Sequence, residues 1–197
     1  MTHDILKEIR ELTGAGILEI KNALTEANNH KEKAIELLRK KGQLLAGKKA
    51  DRVAKEGLVE AYIHPGSRVG VLVEINCETD FVARTEDFKT LAKDLALHIA
   101  AANPLYVSPA DVPAEVVEKE KEIYKTQSAS GAKGKSDEIA GKILEGKVAK
   151  YYEESCLMEQ PFVKNPDIKV KDLVSHSAAK MGENVVVKRF ARFVLGN

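Results

Sequence analysis

Asn76-Cys77-Glu78-Thr79-Asp80-Phe81-Val82-Ala83-Arg84 joins two segments of different hydrophobic period. Upstream, Val69, Val71, Val73 and Ile75 recur at every second position, the pattern of one strand face. Downstream, Phe88, Leu91, Leu95 and Ile99 fall on one face of a helix. The stretch is therefore a strand-to-helix junction. An acid beside a large aromatic at such a junction is held between two rigid elements and has a fixed place on the surface.

Working outward, Val59, Ala61 and Ile63 alternate after Gly57, and His64-Pro65-Gly66-Ser67 supplies turn chemistry, so residues 57–76 read as a β-hairpin. A two-stranded hairpin is marginal alone and needs a helix and at least one more strand to cover its apolar face. Residues 184–195 are rich in β-branched and aromatic side chains and supply that strand. Strict alternation puts Val186, Lys188, Phe190, Arg192 and Val194 on one face, and Val185, Val187, Arg189, Ala191, Phe193 and Leu195 on the other. With both faces partly apolar, the strand is either buried on both sides or meets another subunit.

The helix after the junction runs from about Thr85 to Ala102, with Thr79, Asp80 and Thr85 as cap candidates and Asn103-Pro104 as its stop. Further helices are expected over residues 114–128, 137–154 and 170–181, the middle one weakened by Gly141 and Gly146 and the last stopped by Gly182. Residues 130–136 read as a flexible joint, and Glu159-Gln160-Pro161-Phe162-Val163 as an edge or docking segment.

The first 42 residues carry three short apolar stripes: Ile5, Ile9 and Leu12; Ile17, Ile20, Leu24 and Ala27; and Ala34, Ile35 and Leu38, ending at Gly42. Thr13-Gly14-Ala15-Gly16 and Asn28-Asn29 separate them. A bundle this small sits near the lower limit for independent folding, which suits a recognition module better than a scaffold. The expected class is α+β: a three-helix N-terminal bundle (1–42), a linker helix (43–56) and a core of a small antiparallel sheet packed with helices (57–197).

Thirty-one basic residues against 30 acidic ones leave no global field favouring nucleic acid. Residues 39–52 hold six basic side chains but no aromatic to stack on bases, so they read as a solvated linker, and no direct nucleic-acid binding is expected. Cys77 and Cys156 form no CxxC pair, which argues against a disulfide framework or zinc ribbon and for a reducing, cytoplasmic setting. No apolar run approaches the ~20 residues that span a bilayer, and no signal peptide is evident.

Catalytic chemistry is sparse. His3, His30, His64, His98 and His176 stand singly, without an HExxH pair. Gly14-Ala15-Gly16 lacks the lysine of a phosphate loop and follows a helix where a dinucleotide fingerprint follows a strand. No nucleophile has an adjacent base. The chain reads as a binding protein that acts on another protein, with no enzymatic activity, cofactor or metal site of its own. For Asp80-Phe81 the residues leave two readings open. Asp80 caps the helix above a buried Phe81 plug, or Phe81 is an exposed wedge offering about 150–250 Å² to a partner.

Four stretches resemble the bacterial translation elongation factor Ts family: Leu12-Thr13-Gly14-Ala15-Gly16 with Lys21 and Ala23-Leu24, residues 76–83, Gln160-Pro161-Phe162, and Gly182-Glu183-Asn184 leading into Arg189-Phe190 and Arg192-Phe193. Glu19 stands where many members have aspartate, a change that keeps the charge. The resemblance implies guanine-nucleotide exchange on the GTPase elongation factor Tu. It assigns docking to a ubiquitin-associated-like N-terminal module through Leu12, Gly14, Ala15, Gly16 and Ile17, and Mg²⁺ dislocation to Thr79, Asp80, Phe81 and Val82. Longer members carry a duplicated core and a coiled-coil hairpin. The short span between Pro104 and Cys156 resembles the short members that pair as homodimers; the two-faced C-terminal strand fits that pairing, and a homodimer with Phe190 and Phe193 near or under its interface is expected.

Overall fold

The computed structural model describes residues 3–13, 15–49, 51–129 and 137–196, and these divide into two compact units. Gly14 and the expected joint at 130–136 lie outside the described residues.

The first unit comprises residues 1–100 and 171–197. It opens with α1 (His3–Thr13), α2 (Ile17–Glu26) and α3 (Lys31–Lys49). Ile9, Ile20, Ala23, Leu24, Ala27, Ala34 and Leu38 form their shared core, flanked by Ile5, Leu6, Ala15, Ile35 and Leu37. The stripes read from the sequence are right in their middles and wrong at two ends: Leu12 and Ile17 are 51% and 50% exposed. Asn28 and Asn29 take positive φ at the α2–α3 turn, a conformation asparagine tolerates unusually well. Gly42 does not stop α3. The helix continues to Lys49, and a Cβ at Gly42 would sit 3.6 Å from that of Ala179, so a small residue there lets another element approach.

Strands β1 (Glu56–Ile63), β2 (Val69–Cys77) and β5 (Val186–Val194) form an antiparallel sheet in the order β1-β2-β5. The C-terminal segment is thus the third strand. Val71, Val73, Ile75 and Cys77 point inward and are buried. Helix α5 (Glu86–Ala102) contributes Phe88, Leu91, Leu95 and Ile99 to the interior, and Arg192 of β5 donates to the Ala100 carbonyl at 3.2 and 3.3 Å.

Two details of the sheet are set by register. Ile75, Val73 and Val71 pair with Leu58, Glu60 and Tyr62, so Val59, Ala61 and Ile63 lie on the face away from the core. Val59 and Ile63 are more than 60% exposed. A bulge between Glu74 and Ile75 shifts β5 by one residue, bringing both Val187 and Phe190 opposite inward positions of β2. Phe190 is half-buried there, while Phe193 is 67% exposed on the outer face with Leu72 and Ala191.

The second unit, residues 101–170, holds α6 (Ala114–Ala129), α7 (Asp137–Ser155) and the ribbon of β3 (Pro161–Phe162) and β4 (Asn165–Lys169). Leu157 donates to the Tyr106 carbonyl at 2.9 Å and Leu105 to that of Ser155 at 2.8 Å. Gln160 and Phe162 are buried in this unit while Pro161 between them is exposed, and Gln160 Nε2 donates to the Glu154 carbonyl at 2.8 Å. The sequence reading of this segment missed β4. Among the described residues no helix is long and apolar enough to cross a membrane. Helix α8 (Val170–Met181), which belongs to the first unit from Lys171 on, ends at Gly182, whose φ of 77° favours glycine.

Candidate functional site

The junction is built from the end of β2 outward. Gly57 lies opposite Asn76 with φ of 143°, and a Cβ there would fall 2.1 Å from the Ile75 carbonyl oxygen, so only glycine allows this closeness. Asn76 Nδ2 donates to the Glu56 carbonyl at 3.2 Å, tying the end of β2 to the start of β1. The buried Cys77 thiol donates to the Thr79 carbonyl at 3.1 Å. Burial, reinforced by the charge of Glu183, pushes its pKa up to about 11, so it is a neutral packing group and not a nucleophile.

Thr79 is the cap. Its backbone is extended and its Oγ1 accepts the Val82 N–H at 3.4 Å, starting the one-turn helix α4 (Asp80–Ala83). Thr85 Oγ1 accepts the Phe88 N–H at 3.3 Å and starts α5 in the same way. Asp80 caps nothing: it lies in the first turn of α4 and pairs with Arg84 at 2.8 Å, four residues on. Phe81 is no plug, being 78% exposed. Val82 is half-buried and Ala83 buried, so α4 is seated on its far side while the ring of Phe81 faces solvent.

The strongest restraint on this corner comes from Glu183, in the turn between α8 and β5. Its carboxylate accepts the N–H groups of Glu78 and Thr79, both at 3.0 Å, and the Thr79 hydroxyl at 2.6 Å. Nothing in the spacing announces a partner 104 residues away. The Asp80–Arg84 pair, by contrast, has an i,i+4 spacing, a signal the sequence reading passed over.

A second exposed corner lies between α1 and α2. Leu12, Ile17 and Leu18 are 51%, 50% and 72% exposed, and Leu18 was missed because it falls off the apolar stripe. Ala15 packs half-buried against the bundle core, while Gly16 is exposed. Glu19 accepts the Gly16 N–H at 2.9 Å and Thr13 Oγ1 that of Ala15 at 3.3 Å, so the corner is closed by its own side chains. Among the described residues no group of three or more His, Cys, Asp or Glu side chains could hold a metal ion.

Apolar side chains thus stand exposed on two corners, Leu12, Ile17 and Leu18 on one and Phe81 on the other. The chain belongs to the elongation factor Ts family: the family described as Elongation factor TS matches residues 1–197. Proteins named Elongation factor Ts are similar along the whole chain, including those of Carboxydothermus hydrogenoformans (57% identical, all of this chain and 89% of that protein), Heliobacterium modesticaldum (55%, all of this chain and 90% of that protein) and Syntrophus aciditrophicus (54%, all of this chain and 96% of that protein).

Proposed function

We propose that this chain is a guanine-nucleotide exchange factor that binds elongation factor Tu carrying GDP, weakens the Mg²⁺ and GDP site, and promotes GDP release so that GTP can bind during elongation. One observation carries the reading: Phe81, a large aromatic, is 78% exposed on a corner whose backbone is held on both sides. Leaving an aromatic in water forgoes burial, and aromatic anchors of this kind are a common hot-spot type. Family membership and the names of the relatives support the identity of the partner.

The mechanism is linkage. A factor that binds the nucleotide-free GTPase better than its GDP form weakens GDP by the same factor. A thousandfold faster release needs about 4 kcal/mol off the dissociation barrier. Thr79 and Val82 present Phe81, which inserts against the GTPase core. Asp80 gives up its exposed pairing with Arg84, a small cost at a surface, and helps disfavour the partner's bound Mg²⁺. Leu12, Gly14, Ala15, Gly16 and Ile17 dock the ubiquitin-associated-like module that positions the complex. The reading calls for no covalent step, cofactor, nucleic acid or membrane, and places the protein in the cytoplasm.

The same reading pairs the chain as a homodimer through the outer sheet face, with Phe193 in the interface and Phe190 beneath it. The exposure of Val59, Ile63, Leu72, Phe193 and Leu195 supports it. A dimer mass in sedimentation at micromolar concentration is expected, and a monomer mass throughout dilution would sink the pairing.

The deciding experiment is stopped-flow release of labelled GDP from elongation factor Tu. Wild-type chain is expected to accelerate release, and Phe81→Ala to fold normally yet lower the maximal rate by about 30-fold, the equivalent of ~2 kcal/mol. No acceleration by wild type overturns the exchange reading, and equal acceleration by Phe81→Ala overturns the wedge.

A further inference from the structure

Two glutamates are exchanged across the base of α4. Glu183 accepts the backbone N–H groups of Glu78 and Thr79, and in return Glu78 Oε1 accepts the backbone N–H of Asn184 at 2.7 Å. Asn184 Nδ2 donates to the Arg52 carbonyl at 2.8 Å, and the Arg52 guanidinium reaches Glu78 at 3.5 Å. Each carboxylate thus ties down the backbone that carries the other. Hydrogen bonds to ionised oxygens are about twice as strong as neutral ones, so the exchange is a stiff clasp between the α8–β5 turn and the junction.

The Thr79 hydroxyl is where the clasp meets the wedge. It gives its one proton to Glu183 Oε1 at 2.6 Å, which leaves its lone pairs for the Val82 N–H at 3.4 Å. Glu183 therefore fixes the rotamer in which Thr79 caps α4, and α4 holds the Phe81 ring in solvent. A one-turn helix has too few internal hydrogen bonds to persist alone. The far end of the clasp is fixed too: Lys49, at the end of α3, donates to the carbonyl of Gly182 at 2.7 Å, and the left-handed backbone of Gly182 turns Glu183 towards the junction.

We propose that Glu183 is a positioning residue for nucleotide exchange, acting through Thr79 to hold α4 and Phe81 in the geometry that displaces the partner's nucleotide. The proposal rests on the exchange reading and adds to it a residue outside the junction. In this role Glu183 sets how fast the bound factor expels GDP, not how tightly the factor docks, because the α1–α2 corner does not depend on it.

The test uses the full chain with Glu183→Ala and Glu183→Gln, titrated against elongation factor Tu loaded with labelled GDP, together with hydrogen exchange at the Glu78 and Thr79 amides. Glutamine keeps a carbonyl oxygen for the two N–H groups and an amide that can donate to the Thr79 oxygen. Glu183→Ala is expected to lower the maximal release rate about tenfold while changing the half-saturating concentration less than about twofold, and to speed exchange at both amides. Glu183→Gln is expected to recover most of the rate and the protection. An alanine variant with a wild-type maximal rate overturns the proposal even if its amides exchange faster. So does a glutamine variant no better than alanine, or a loss seen only in half-saturation. If wild type itself leaves GDP release unchanged, the exchange reading falls and the proposed role falls with it. The amide exchange still shows whether Glu183 orders the corner, so the two failures are told apart.

Discussion

The α1–α2 corner and the α4 corner both hold apolar side chains in water, yet they are fastened differently. Leu12, Ile17 and Leu18 stand on a bundle whose buried core, among the described residues, is seven aliphatic side chains, and their turn is closed by Thr13 and Glu19 from the helices that flank it. Phe81 stands on the sheet core and is fastened by Glu183, more than a hundred residues away. A local hydrogen bond shapes a turn but survives partial opening of the fold. A bond between distant residues exists only when the fold exists, so it ties the corner to the protein's full stability. In the proposed exchange, the first corner would find the partner and adapt to it, and the second would push.

The sharpest way to break this contrast is through the two cores. Phe88→Ala removes a fully buried ring and is expected to cost about 3–5 kcal/mol, unfolding sheet and α4 corner together. Ile20→Ala removes an equally buried side chain at about 2–5 kcal/mol, and its damage is expected to stay in α1, α2 and α3. Hydrogen exchange separates the cases: Ile20→Ala should unprotect the bundle amides and leave β1 and β2 protected. If β2 opens as well, the bundle and the sheet form one cooperative unit and the contrast is wrong.

Much of this was legible from hydrophobic period alone. Val71, Val73, Ile75, Phe88, Leu91, Leu95 and Ile99 are buried as their spacing requires, and residues 184–195 found their place as the third strand because β-branched runs need a pairing partner. Which face of β1 turns inward was not legible. Val59, Ala61 and Ile63 look like a core stripe, but the register places Leu58, Glu60 and Tyr62 inward, and register depends on the turn and on β2, not on β1. The bulge at Glu74 and Ile75 is likewise invisible in β5, where strict alternation puts Phe190 and Val187 on opposite faces. At the junction the sequence left Asp80-Phe81 undecided because Thr79, Asp80 and Thr85 are all good caps. The fold separates them: Thr79 and Thr85 cap, and Asp80 pairs with Arg84.

A gentler break targets docking alone. Replacing Leu12 and Ile17 together by alanine trims side chains that are half in water, so folding should change little. In the GDP-release titration the double variant is expected to raise the half-saturating concentration about tenfold, ~1.4 kcal/mol, with the maximal rate unchanged. A fall in maximal rate at unchanged half-saturation would show that the α1–α2 corner also pushes.

The smallest expected effect lies where α3 meets α8. Arg39 Nε and His176 Nε2 are buried and neither has a hydrogen-bond partner among the described residues. Burial, and then the charge of Arg39, hold the His176 imidazole below its ordinary value, while Asp172 opposes them. The folded state therefore binds a proton less readily than the unfolded state. Stability contributed at His176 is fully present above the ordinary pKa of 6.5 and is lost as pH falls through that value towards the lowered one. Wild type is thus expected to lose more thermal stability than His176→Gln between neutral pH and about pH 5, since glutamine stays neutral while the ordinary carboxylates titrate alike in both. The loss should appear first as exchange at the amides of α3 and α8. Parallel declines in the two proteins would mean that the imidazole reaches water freely and that α3 does not depend on a neutral His176.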